Sequence, residues 1–244
     1  FDCQVLDRVL IPKAVGSAER HWYCVYGVTN RTGMDRDLAL GLFVEVSGPG
    51  QELLQRWDTP DPEVQKNVEA RTGHRYLDTV QVQGRLRVDE RKDAFAVFGP
   101  LPREADAIRL YVLGLSSVVK ETRLGSEYDQ KLRSGQEVWL LTRSAAGATT
   151  LTPLARRIDL AEYQRRVAAK EPRVWKTVLE GEGTAYYLLD DERLTATEKR
   201  PYLERRVLRR RYSRRGDEIQ PQLDTYRLDG EDWILAIEPL SKAP

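Results

Sequence analysis

No stretch of about 18 apolar residues occurs in the chain, so nothing in it is built to span a bilayer as a helix. The longest apolar runs are strand-sized, as in Ile108 to Leu115, which Arg109 interrupts. Histidine is nearly absent. His21 and His74 stand far apart, and no CxxC or HxxxH spacing offers a zinc site. A CxxCH haem attachment is lacking, as are a Walker loop, a GxGxxG turn and a GxSxG nucleophile elbow. Gly181-Glu182-Gly183 lacks the third glycine, and Gly114-Leu115-Ser116-Ser117 is only a strand end. Asp58 with Asp61, Asp35 with Asp37, and Asp190-Asp191-Glu192 fit no EF-hand loop and read as solvated turns. No catalytic residue, metal site or cofactor is therefore assigned. An enzyme built on an unrecognised carboxylate pair stays as an alternative, because sequence cannot supply the separation such a pair needs.

An excess of either charge is also missing. Lysine and arginine total 39 against 38 for aspartate and glutamate, which disfavours a surface committed throughout to nucleic acid or anionic membrane. At 244 residues the chain is long enough for one large sandwich or two modest domains. The two cysteines, Cys3 and Cys24, are expected to form a disulfide joining the first strand to the second. Closing that loop would stabilise by about 3 kcal/mol in the chain-entropy treatment, and it implies an oxidising compartment. Two buried thiols are the plainer alternative. Phe1 in place of Met fits a processed mature N-terminus, or a trimmed chain. Asn30-Arg31-Thr32 matches a glycosylation sequon.

What is abundant is strand patterning. Trp22, Cys24, Tyr26 and Val28 alternate along one face, and Thr29 to Gly33 supplies a turn. Leu38, Leu40, Leu42, Val44 and Val46 give the cleanest period-two run, with a mixed opposite face of Ala39, Gly41, Phe43 and Glu45. Gln51 to Tyr76, with Pro60 and Pro62, reads as a long connection. Val80, Val82, Leu86 and Val88 read as a half-exposed strand. Further strands are expected at Ala94 to Phe98, Ile108 to Leu115 and Glu137 to Thr142. About seven short strands at turn spacings of 8–12 residues indicate an antiparallel β-sandwich over residues 1–155. Composition shifts near Ser144, and Asp159 to Ala169 reads as a capped helix with Leu160, Tyr163 and Val167 on one face. Residues 156–244 are thus expected to form a small α+β unit.

Trp22 to Gly33 resembles the strand and turn of exported bacterial immunoglobulin-like modules. Arg215-Gly216-Asp217-Glu218, with Asp224 and Trp233, is similar to segments of uncharacterised exported bacterial proteins with an immunoglobulin- or fibronectin-like module. The resemblance covers roughly the first 45 and last 40 residues. It implies the sandwich fold and export, periplasmic or extracellular, and implies no site.

One charge cluster stands out. Residues 205–215 hold seven arginines in eleven positions, whereas residues 217–238 hold seven acids against Arg227 alone. A hairpin near Arg215-Gly216-Asp217 would set the basic strand against the acidic one, each cross-strand pair contributing a few tenths to about 1 kcal/mol. Arg205, Arg206, Arg209, Arg210 and Arg211 are also the candidates for binding a polyanion, such as an acidic glycan, or a protein partner. The functional expectation is a non-enzymatic structural or interaction module that self-associates or holds a protein partner.

Overall fold

The computed structural model describes residues 1–12, 18–47, 54–102, 105, 107–116, 119–123, 131–132, 134, 136–143, 149–170, 174–179, 183–189, 201–215 and 225–239. The protein is mainly β, with several antiparallel ladders. By packing it divides into two units, Phe1–Leu115 with Val207–Asp232 and Ser116–Arg206 with Trp233–Pro244. Neither unit is a single stretch of chain.

In the first unit, β1 (Asp2–Pro12), β2 (Ala18–Thr29) and β7 (Arg91–Gly99) form an antiparallel sheet in the order β1-β2-β7. A second sheet runs β5 (Leu54–Trp57), β4 (Gly41–Ser47), β8 (Ala107–Leu113) and the distal half of β15 (Pro201–Arg215). The short strands β3 (Arg36–Leu38) and β6 (Gly84–Leu86) pair with each other. The two larger sheets meet face to face. Trp22, Cys24, Tyr26, Ala94, Ala96 and Phe98 of the first pack on Leu42, Val44, Val46, Ile108, Leu110, Val112 and Leu208 of the second. Burial of these alternating apolar side chains drives the pairing, at about 25 cal/mol per Å² removed from water. The faces read from alternation in β2 and β4 are the ones that form this core.

The central strand β2 is apolar on both faces for a reason. Tyr23 and Val25 point away from that core and, with Val9, Ile11, Phe95 and Val97, receive Val64 and Val68 of helix α1 (Pro62–Thr72). Here the expected long connection is corrected. Asp61 caps the helix by accepting from the Glu63 and Val64 amides at 3.0 and 3.1 Å, Pro62 opens it, and Gly73 closes it at φ 71°. Two valines one turn apart suffice to dock it.

The strand expected through Val80 to Val88 is corrected as well. Asp78 accepts from the amides of Val80 and Gln81 and curls the chain into a turn, so Val82 is buried while Val80 is 71% exposed. Only Gly84–Leu86 pairs as a strand. Gln83 fastens this turn to the unit by accepting from the Leu40 amide and donating to the Leu40 carbonyl, at 2.8 and 3.0 Å.

Asn30 is buried, and its amide donates to the carbonyls of Met34 (2.8 Å) and Leu86 (3.0 Å). Its Oδ1 accepts from the amide and hydroxyl of Thr32. The sequon therefore serves as an inward-facing turn, and the folded chain does not present Asn30 for glycosylation. Asn30→Ala is expected to cost about 2–3 kcal/mol, because two carbonyls lose their buried donor. Urea denaturation would read it, and a loss below about 0.5 kcal/mol would assign the order of this turn to the Asp35–Arg85 pair instead.

In the second unit, β10 (Val138–Arg143) pairs with β11 (Thr149–Pro153) on one side. On the other it runs parallel to the end of β16 (Thr225–Pro239). The proximal half of β15 pairs with β9 (Val119–Arg123). A separate sheet of order β12-β14-β13, from Ala155–Ile158, Gly183–Leu189 and Val174–Leu179, carries helix α2 (Leu160–Ala168). Asp159 caps α2, and Tyr163 packs against Tyr186, the rings tilted by 36° with 4.7 Å between their centres. Leu132, Val138, Leu140, Leu154, Trp175, Tyr202, Leu235 and Ile237 form the core of this unit.

Candidate functional site

The arginine strand is β15, and its neighbour is the acidic β16. The turn between them lies outside the described residues. In the first unit, Arg209 is buried and grips Asp232 with two nitrogens, Nε at 3.0 Å and Nη2 at 2.6 Å from the two carboxylate oxygens. Such a bidentate fork is the strongest pairing a guanidinium makes. Arg211, half exposed, lies 4.0 Å from the same carboxylate. Arg210 sits on the opposite, core-facing side with Leu208 and Tyr212, because side chains alternate along a strand. Its Nε is 2.8 Å from Glu231, its Nη1 donates to the Cys3 carbonyl at 3.3 Å, and its guanidinium lies 5.4 Å from the centre of the Phe1 ring.

In the second unit, Arg205 contacts Glu238 at 3.1 Å, and Arg206 is exposed. Four of the five candidate arginines thus face an acid of β16. Like pairs at the surface contribute little each, but burial of Arg209 and Arg210 makes their partners matter more.

Behind Arg210 stand the two cysteines. They are thiols in hydrogen-bond contact, Sγ to Sγ 2.8 Å, rather than the expected disulfide, whose sulfurs would sit about 2.05 Å apart. Register accounts for their approach. Cys3 lies opposite Tyr26 and Leu6 opposite Cys24, and a bulge between Cys3 and Val5 brings the diagonal pair together on one face. Burial pushes the Cys24 thiol well above its ordinary value. The Cys3 thiol is lowered, first by its hydrogen bond with Cys24 and then, against partial burial, by Tyr212 and Arg210.

Two acids hold enclosed carboxyl groups, Glu45 and Asp58; for Asp58, expected with Asp61 in a solvated turn, this is a correction. Glu45, 1% exposed, accepts from Arg109 Nη1 at 2.6 Å and the Tyr111 hydroxyl at 3.3 Å. Arg109 lies directly opposite it in the β4–β8 ladder. Asp58 follows β5 and joins the two sheets of the first unit. Its amide donates to the Leu42 carbonyl at 3.0 Å, and its Oδ1 accepts from the Val97 amide at 2.7 Å. Burial pushes its carboxyl up to about 7 despite that amide, with Asp78 adding to the rise. Its Oδ2 and the Tyr26 hydroxyl are both buried without a hydrogen-bond partner among the described residues.

No family model, curated protein or solved structure matches the chain. Among the described residues no group of three or more His, Cys, Asp or Glu is placed to hold a metal, and no helix is long and apolar enough to cross a membrane.

Proposed function

We propose that this chain is a non-enzymatic interaction module of an extracellular or periplasmic assembly. In this reading, the first unit is an immunoglobulin- or fibronectin-like sandwich and the second a small α+β unit. Strand order supports the sandwich. A sheet β1-β2-β7 faces a sheet β5-β4-β8-β15, and the chain changes sheet between β2 and β4, between β5 and β7, and again between β7 and β8. Sandwiches of that class distribute their strands in the same way, with Greek-key connections. Helix α2 on its three-stranded sheet supports the α+β unit.

The observation that carries the function is the pairing of the arginine strand with acids of its own chain. Those guanidiniums are occupied in holding β15 to β16, which favours a structural use of the charge over capture of an anion. Each unit would leave a polyanion one less engaged guanidinium, the exposed Arg206 in the second and Arg211, 4.0 Å from Asp232, in the first. Strand β1 is the outermost strand of its described sheet and exposes Leu10 at 57%, an edge suited to the addition of a partner strand. Export rests on the resemblance of the Trp22 to Gly33 segment.

Native mass spectrometry of protein from its natural source tests the reading. A multiple of the chain mass, or a stoichiometric companion chain, is the expected result. A single chain at all salt concentrations would overturn it.

A further inference from the structure

Cys3 and Cys24 have no part in the interaction reading, and their chemistry does not depend on it. We propose that they form a thiol–disulfide exchange site for low-molecular-weight disulfides of the glutathione type, Cys3 attacking and Cys24 resolving.

The geometry assigns the two roles. The sulfurs already lie 2.8 Å apart, so bond formation asks for a movement of under about 1 Å. Cys24 is wholly buried, while Cys3 is partly exposed on the outermost strand, so an external disulfide meets Cys3 first. Cys24, held protonated by burial, can donate its S–H to the Cys3 sulfur and stabilise a thiolate there. The Arg210 guanidinium adds positive charge on the same side. It is fixed by Glu231 at 2.8 Å and by its bond to the Cys3 carbonyl at 3.3 Å. A thiol beside a buried cation and a hydrogen-bond donor is the environment in which cysteines become nucleophilic.

The steps balance. The Cys3 thiolate attacks one sulfur of the external disulfide, forming a mixed disulfide and expelling one thiolate. That thiolate takes the Cys24 proton and leaves as a thiol. The Cys24 sulfur then attacks Cys3 Sγ, forming the internal disulfide and expelling the second thiolate, which recovers from solvent the proton that Cys3 gave up. The protein loses two electrons and the external disulfide gains them. The product ties β1 covalently to β2.

The test uses the full chain, reduced and desalted, incubated with oxidised glutathione, quenched by alkylation and weighed intact. Expected is a product two hydrogens lighter than the reduced chain, carrying neither alkyl group nor glutathione. Cys24→Ser should stop at one glutathione adduct on Cys3, and Cys3→Ser should react at least about tenfold more slowly. Arg210→Met should shift the pH profile of the first adduct upward, a readout that a packing change alone would not move. Oxidation should raise the melting temperature by about 5 °C or more. A wild-type chain that stays doubly alkylatable, that keeps glutathione, or that forms only disulfide-linked dimers would overturn the assignment. Equal reaction rates for the two single-serine variants would also overturn it.

Discussion

Gly114→Val is expected to destabilise the first unit by about 3–4 kcal/mol. Gly114 follows β8 with φ at 84°, a left-handed conformation that costs an L side chain about 1–2 kcal/mol. Space is the second difficulty, since a Cβ at this position would overlap the Ala39 carbonyl and press on Leu40. Both contacts are backbone in the segment leading into β4, so no side chain can swing away, and overpacking of that kind adds about 1–3 kcal/mol. Gly73 is the control. Its φ is also positive, at 71°, yet nothing lies within 4 Å of a Cβ built there. Gly73→Ala should therefore cost only about 1 kcal/mol. Denaturant midpoints at unchanged slope would measure both. Similar losses at the two positions would mean that strain alone, without the close approach to Ala39, accounts for the effect.

Asp58→Asn should make the protein more stable at pH 8 while changing it little at pH 4. The folded carboxyl titrates at about 7, against about 3.9 for the unfolded chain. Between those values the folded state holds a proton that the unfolded state has released. The contribution of Asp58 is thus fully present below about pH 4, declines as pH rises towards 7, and is flat above that. An interval of this size corresponds to about 4 kcal/mol. Asparagine keeps the Oδ1 acceptor for the Val97 amide and carries no charge at any pH. Other carboxylates tilt both curves alike, so the informative quantity is variant minus wild type, measured by denaturation at pH 4, 6 and 8. A difference independent of pH would show that Asp58 is ionised throughout, stabilised by solvent reaching Oδ2.

The parts of this fold legible in the sequence are those set by a single strand's own pattern. Trp22, Cys24, Tyr26 and Val28 could only share a face, and Leu42, Val44 and Val46 likewise; burying those faces produces the core. Asp159 announced its helix because the stripe behind it was long enough to see. Helix α1 offered Val64 and Val68 alone, and Pro60 and Pro62 spoke for a loop. The deciding signal was Asp61 immediately before Pro62, a cap followed by the one residue that loses nothing at the first helical position. Burial of an acid is legible only with its partner. Glu45 depends on Arg109 and Tyr111 from another strand, and Asp58 on the Val97 amide, so neither local sequence marks them. The basic and acidic runs, by contrast, carried their complementarity in plain sight. The two cysteines could be seen as a pair, but their redox state depends on the surroundings and cannot be read from spacing.

The discontinuity of the first unit bears on how the chain comes to be folded at all. Strand β8 has β4 on one edge and β15 on the other, and β15 lies beyond the whole of Ser116–Arg206 in the chain. During synthesis, seven strands and α1 emerge with β8 unpaired along one edge, and Leu208 and Tyr212 are not yet available to the core. An open edge beside uncovered Ile108, Leu110 and Val112 is a template for pairing with another nascent chain. Completion also waits on contacts of very long sequence separation, the slow kind. The strand that closes this edge is the arginine-rich one, whose charge disfavours pairing with a like strand of another chain, and the acids made after it are those that Arg209 and Arg210 meet.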